Sequence, residues 1–194
     1  MKLSAKKRKV SFKYVEYDAD KKLHMRKRPD GTERIYIISP YQMAAKEGKY
    51  YLICNYDKYD DISNYRVDRI HDIQILNDPI KPYSKLVWSN GNNLDLGKYM
   101  REHVYMYSGQ NTIAKLLIPR AMISDVIDLF GKSVRFMDET EIEVKVVVNA
   151  NEKSIEQFAR SYAPDVLVLA PYSMVERLQE STRITMEKYK EMRK

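Results

Sequence analysis

Two arginines stand three positions apart in Tyr65-Arg66-Val67-Asp68-Arg69-Ile70, a run otherwise made of tyrosine, aspartate and β-branched residues. A guanidinium is rarely buried without an anionic partner, and its planar fork pairs bidentately with phosphate or carboxylate. Upstream lies Tyr50-Tyr51-Leu52-Ile53-Cys54-Asn55-Tyr56, so two short apolar-aromatic runs flank an acidic connection. That pattern reads as a β-hairpin. A strand that carries two arginines beside tyrosines fits a binding surface for an anion. It equally fits structural ion pairs, with Asp57, Asp60, Asp61 and Asp68 as candidate partners.

The other reactive side chains form no catalytic constellation. His24, His71 and His103 are far apart and lack companion cysteines, so metal-ligand spacing is missing. There are only 6 glycines, and none belongs to a phosphate-cradling loop. No Gly-x-Ser-x-Gly elbow occurs, and Ser39 has no evident base. Glu139, Glu141 and Glu143 alternate as on a solvated strand face. Met174, Leu178 and Met186 read as helix packing or a dimer seam. Neither enzymatic activity nor a metal or cofactor is expected.

Charge is unevenly spread. The chain has 194 residues and a net charge of +7, and residues 1–37 alone hold 12 Lys/Arg against 5 Asp/Glu. The first segment therefore carries all the net charge, as a polyanion-binding patch or a solvated arm would. Tyrosine is also concentrated there: 10 of 16 lie within residues 14–83, where they suit stacking on flat ligands or the faces of a small barrel. No apolar run reaches the roughly 18 residues of a membrane span, and the basic N-terminus lacks the apolar core of a secretory signal. The single cysteine, Cys54, excludes an internal disulfide and fits a reducing cytoplasm, as an inert buried thiol.

The elements that must position these residues fall into two periods. Val10–Tyr17, Arg34–Ser39, Tyr50–Tyr56 and Tyr65–Ile70 read as short strands, with Pro29-Asp30-Gly31 and Lys46-Glu47-Gly48-Lys49 as turns and Pro40 ending the second. About five such strands predict a small β-barrel over residues 8–82. Residues 83–109 form a connector, broken at Asn90-Gly91-Asn92-Asn93 and holding a short helix over Leu94–His103. From 110 to 194 the order is strand, helix, strand, strand, helix, strand, helix, with Gly131 and Pro171 marking helix ends. This is the split-βαβ, ferredoxin-like pattern with an added C-terminal helix. The fold class is α+β.

At Tyr50–Ile70 the chain resembles the WYL-domain family. Its Trp-Tyr-Leu motif stands here as Tyr50-Tyr51-Leu52, aromatic for aromatic at the first position. Val10-Ser11-Phe12-Lys13-Tyr14 is similar to the family's opening strand, Ile38-Ser39-Pro40-Tyr41 to the segment before the name motif, and Tyr65–Ile70 to the closing strand with its two arginines. Tyr162-Ala163-Pro164-Asp165-Val166-Leu167-Val168-Leu169-Ala170-Pro171 resembles the end of the WCX extension that commonly follows a WYL domain.

The resemblance implies an SH3/Sm-like barrel followed by a ferredoxin-like WCX module that contributes to a homodimer. It implies effector sensing in bacterial transcriptional regulators, with nucleic acid, especially single strands, or a nucleotide-like molecule as ligand. The implied pocket maps to Ser39, Tyr41, Tyr51, Arg66 and Arg69, the arginines pairing with phosphates and the tyrosines stacking or hydrogen bonding. Such regulators usually reach promoter DNA through an N-terminal helix-turn-helix. Here only about nine residues precede the first strand, and Lys2–Lys9 resembles the end of a linker helix. A regulator fragment and a stand-alone protein that binds single-stranded DNA or RNA both remain open readings.

Overall fold

The computed structural model describes residues 7–86, 89 and 91–192. The linker-helix resemblance at Lys2–Lys9 and the chain break at Asn90 lie wholly or partly outside them. The chain divides into two compact units, Met1–Gly97 and Lys98–Lys194. It is an α+β protein built on two antiparallel sheets. No described helix is long and apolar enough to cross a membrane.

The first unit contains β1 (Arg8–Tyr17), β2 (Leu23–Met25), β3 (Ile35–Lys46), β4 (Lys49–Tyr56), β5 (Ile62–Arg66) and β6 (Ile70–Pro79). Neighbours pair in the order β6, β1, β3, β4, β5, with β2 on the far end of β1. Among the described residues no ladder joins β5 to β6, so no closed barrel forms. Alternation decides which side chains enter the core. Val10, Phe12 and Tyr14 of β1 meet Tyr36 and Ile38 of β3, Leu52 and Cys54 of β4 and Tyr65 of β5. Lys9, Ser11 and Lys13 point the other way, as a period of two requires. The β3–β4 hairpin turns on Glu47 and Gly48, whose φ values of 50° and 71° match a two-residue primed turn.

Two boundaries depart from the sequence reading. Pro40 does not end β3. The strand runs on to Lys46, because the register shifts between Pro40 and Gln42 and a proline at a bulge forfeits no ladder hydrogen bond. Tyr65–Ile70 is not one strand either. Val67–Arg69 forms a 3-10 turn between β5 and β6, which places Arg66 and Arg69 on either side of a corner.

The second unit contains β7 (Asn111–Pro119), α2 (Ile123–Phe130), β8 (Arg135–Met137), β9 (Glu143–Asn151), α3 (Glu152–Ser161), β10 (Leu167–Ala170) and α4 (Tyr172–Glu191). A short α1 (Leu96–Glu102) spans the boundary between the units. The sheet order is β10, β7, β9, β8, all antiparallel. Ala114, Leu116 and Ile118 of β7 and Val144, Val146 and Val148 of β9 form one face, against which Val126 and Phe130 of α2, Ile155 and Phe158 of α3 and Met174 of α4 pack. Each fully buried side chain of this size contributes about 1.5–3 kcal/mol. Asn151 caps α3 by accepting from the Ser154 amide at 3.3 Å. Arg177 of α4 holds both Glu152 and Glu156 of α3.

Candidate functional site

The core of the first unit is aromatic rather than aliphatic. Phe12 stacks on Tyr36 with centroids 5.4 Å apart, and Tyr65 stands edge-on to Phe12, Tyr14 and Tyr36 at 5.1–5.3 Å. Tyr56 continues the cluster 5.4 Å from Tyr36. A core of tyrosines must place a hydroxyl somewhere for every ring it buries. Tyr14 solves this by accepting the Arg66 backbone N–H at 3.0 Å. Tyr36 does not: its ring is 2 % exposed and its Oη is buried without a hydrogen-bond partner.

Arginines border this cluster. The Arg34 guanidinium lies 4.8 Å from the Tyr36 centroid and 5.6 Å from that of Tyr56. Arg26 covers Tyr14 at 5.1 Å and Arg69 covers Tyr17 at 5.8 Å, distances at which a cation is attracted to the ring face. The arginines differ in how they are compensated. Arg26 donates to Glu16 at 2.7 Å, and Arg66 grips Asp68 through two bonds of 3.1 and 2.6 Å. Arg34 and Arg69 form no ion pair among the described residues, and Arg69 Nε is a buried donor with no acceptor. Arg26 lies beside the Tyr36 hydroxyl but outside hydrogen-bond geometry.

Burial pushes the Tyr14 and Tyr65 hydroxyls up from their usual range, so both stay protonated at neutral pH. For Tyr14 the Arg66 amide and the charges of Arg69, Arg26 and Arg66 oppose that rise. Hydrogen bonds from Arg66 hold the Asp68 carboxyl below the ordinary range. The arrangement offers protonated hydroxyls, two guanidinium groups without a carboxylate partner, of which Arg34 is held by the Tyr56 hydroxyl, and two buried polar atoms without a hydrogen bond. No cluster of His, Cys, Asp and Glu among the described residues could hold a metal ion, and Cys54 is a buried thiol whose ionisation burial pushes well up.

The five residues singled out from sequence fall into separate places. Tyr51 sits directly opposite Arg66 across the β4–β5 ladder. Ser39 and Tyr41 come together at Lys81 instead. Ser39 Oγ accepts the Lys81 amide at 2.9 Å, Tyr41 Oη donates to the Lys81 carbonyl at 2.8 Å, and Tyr83 packs edge-on against Tyr41. Ser39 pairs with Asn55 and Tyr51 lies four residues earlier on β4, about 13 Å along the strand. Arg69 alone of the five has an unsatisfied buried atom; its guanidinium lies over the exposed Tyr17 ring, and its charge acts on Tyr14.

Sequence reasoning passed over Arg26, Arg34, Tyr14 and Tyr36. A signal was present at Arg34-Ile35-Tyr36: a period of two puts Arg34 on the side of Tyr36 and Ile38, the buried side of β3. A charged residue directly before a strand, in phase with its inward face, is the kind of exception that marks a site.

Residues 4–75 match the family model of the WYL domain. No curated protein matches the chain. Among solved structures, the chain is similar to proteasome accessory factor B/C (PafBC) of Arthrobacter aurescens, with 12% identity and a TM-score of 0.35 over 91% of this chain and 24% of that one. It is also similar to a CRISPR Cas-related protein, with 14% identity and a TM-score of 0.47 over 94% of this chain and 48% of that one. The chain thus spans about a quarter of the first and about half of the second.

Proposed function

We propose that this chain, which carries a WYL domain over residues 4–75, is the ligand-sensing and dimerising part of a bacterial WYL-type transcriptional regulator. Its effector is a nucleic acid or a nucleotide-like molecule held by arginines and tyrosines of the first unit. The observation that carries the reading is a pair of guanidinium groups without a carboxylate partner: Arg34, which lies over the Tyr36 ring and turns to the Tyr56 hydroxyl, and Arg69, whose buried Nε lacks an acceptor; the Tyr36 hydroxyl is likewise buried without a partner. A buried polar atom without a partner costs free energy, and an anionic ligand that accepts from Tyr36 Oη or Arg69 Nε removes that cost. Arg66 and Tyr51 lie beside the 3-10 corner and extend the site, while Ser39 and Tyr41 support the backbone at Lys81.

In this reading the first unit is an open relative of the SH3/Sm-like barrel, its β5 and β6 edges unjoined among the described residues, supported by the strand order β6, β1, β3, β4, β5 and the 3-10 turn before the last strand. The second is a ferredoxin-like WCX module with an extra helix, supported by the sheet order fourth, first, third, second. Effector binding shifts the balance between two arrangements of a homodimer, and with it the affinity of an attached promoter-binding helix-turn-helix domain. No catalytic role is assigned. A second reading is a direct binding module for single-stranded DNA or RNA, favoured by the net charge of +7 concentrated in the first segment.

The test is fluorescence anisotropy of labelled oligothymidylate and of a labelled nucleoside triphosphate with the parent chain and with Arg34→Ala and Arg69→Ala. Either substitution is expected to weaken binding about ten-fold or more. Equal affinity in parent and both folded variants defeats the site assignment. Salt separates the two readings: several phosphate contacts give a steep fall of log K with log salt, and a small pocketed nucleotide gives a shallow one.

A further inference from the structure

The helices of the second unit cover one face of its sheet, and the opposite face is not the polar surface that a solvated antiparallel sheet normally presents. Two adjacent rows cross it. The first runs Leu167, Leu117, Lys145, Met137 over β10, β7, β9 and β8, and the second runs Ala170, Lys115, Val147, Arg135. Ile113, Leu167 and Leu169 on the same side are 67%, 49% and 41% exposed. Apolar side chains here surround cations. Lys145 is paired with Asp138 at 2.9 Å, whereas Lys115 and Arg135 make no hydrogen bond or ion pair among the described residues.

We propose that this face docks an acidic amphipathic segment of a partner protein. The register sets the spacing: Lys115 and Arg135 stand two strands apart, about 10 Å, with Val147 between them. Carboxylates seven residues apart on one side of a helix are also about 10 Å apart. Leucine-like side chains between them meet Leu117, Val147 and Met137, and the charges pair at the margins. A second copy of this face is a poor occupant, because two-fold symmetry would set its cations against themselves. Single-stranded nucleic acid is also a poor fit, because neither row holds an aromatic ring on which a base could stack.

The experiment uses the full chain and a fluorescein-labelled synthetic helical peptide with glutamates seven residues apart and leucines between them. A control peptide carries lysine at the same positions. The acidic peptide is expected to bind, the lysine peptide not to, and the double variant Lys115→Glu/Arg135→Glu to bind the acidic peptide about ten-fold more weakly. Both altered side chains lie on the surface, and circular dichroism verifies that the variant is folded. Leu117→Asp is expected to weaken the peptide as well without changing the cations. The proposal is overturned if the charge-reversed variant binds the acidic peptide as tightly as the parent. It is also overturned if that variant loses oligothymidylate binding instead, or if sedimentation shows that it converts a dimer to monomers.

Discussion

Two tyrosines of one core, altered in the same way, are expected to shift stability in opposite directions. Tyr36→Phe removes a hydroxyl that is buried without a partner while keeping the ring stacked on Phe12 at 5.4 Å. An unsatisfied buried polar group costs about 1–3 kcal/mol, so its deletion is expected to stabilise the protein by about 1 kcal/mol or more. Tyr14→Phe removes an acceptor in use and strands the Arg66 backbone N–H, which is expected to cost a comparable amount. The variants should therefore separate by about 2 kcal/mol or more. For a unit of this size, Met1–Gly97, each kcal/mol moves a melting midpoint by about 4–8 °C. Urea titration of both variants and the parent, followed by circular dichroism, measures the difference. Binding adds a second readout: Tyr36→Phe is expected to lose effector affinity while gaining stability. If Tyr36→Phe destabilises as much as Tyr14→Phe, the hydroxyl is satisfied by Arg26 in the free protein, and the argument for a waiting ligand partner fails.

Other consequences are as direct. Asp68→Asn is expected to release Arg66 from its bidentate partner and to raise affinity for anions, measured with the same labelled oligonucleotide. Asp68 also sets a pH dependence. A depressed carboxylate contributes stability above its unfolded pKa of about 4 and loses it as pH falls through the lower folded value, so the Arg66 pair is expected to be insensitive to pH between about 5 and 8. A carboxyl resonance of Asp68 titrating within that window would contradict the geometry. Cys54 is expected to resist an aromatic disulfide reagent until urea unfolds the first unit, because burial pushes its thiol well above the usual range. Gly131→Ala is expected to cost about 1 kcal/mol or more in thermal unfolding, since Gly131 has φ of 84° and an added Cβ would meet Arg101 Cδ at 3.1 Å.

The second unit was legible because its periods are unmixed. Alternation in Ala114–Ile118 and Val144–Val148 and the helical spacing of Val126 and Phe130 each allow one reading, and Gly131 ends α2 where its positive φ is needed. The first unit was legible as strands, but which side chains the sheet brings together was not. Hairpin pairing of Tyr51 with Arg66 is local in sequence and was within reach. The approach of Arg34 to Tyr56 and of Arg69 to Tyr17 depends on strands and a corner brought together only by the sheet. Ser39 is a small buried polar residue near a motif, and its backbone partner, the Lys81 amide, comes from 42 residues away and is not readable from local sequence. Pro40 looked like a strand end because a single sequence does not reveal where a register shift will excuse a proline.

The packing of tyrosines at the candidate site also gives it a spectroscopic signature. Rings of Tyr14, Tyr36 and Tyr65 are held 5.2–6.2 Å apart at fixed tilts of 67–71°, so their electronic transitions couple and produce strong near-ultraviolet circular dichroism. Such bands vanish when side chains lose fixed positions even if backbone structure persists. A ligand that moves Arg34 or Arg26 over those rings alters their local field, and the protein itself then reports occupancy without a label.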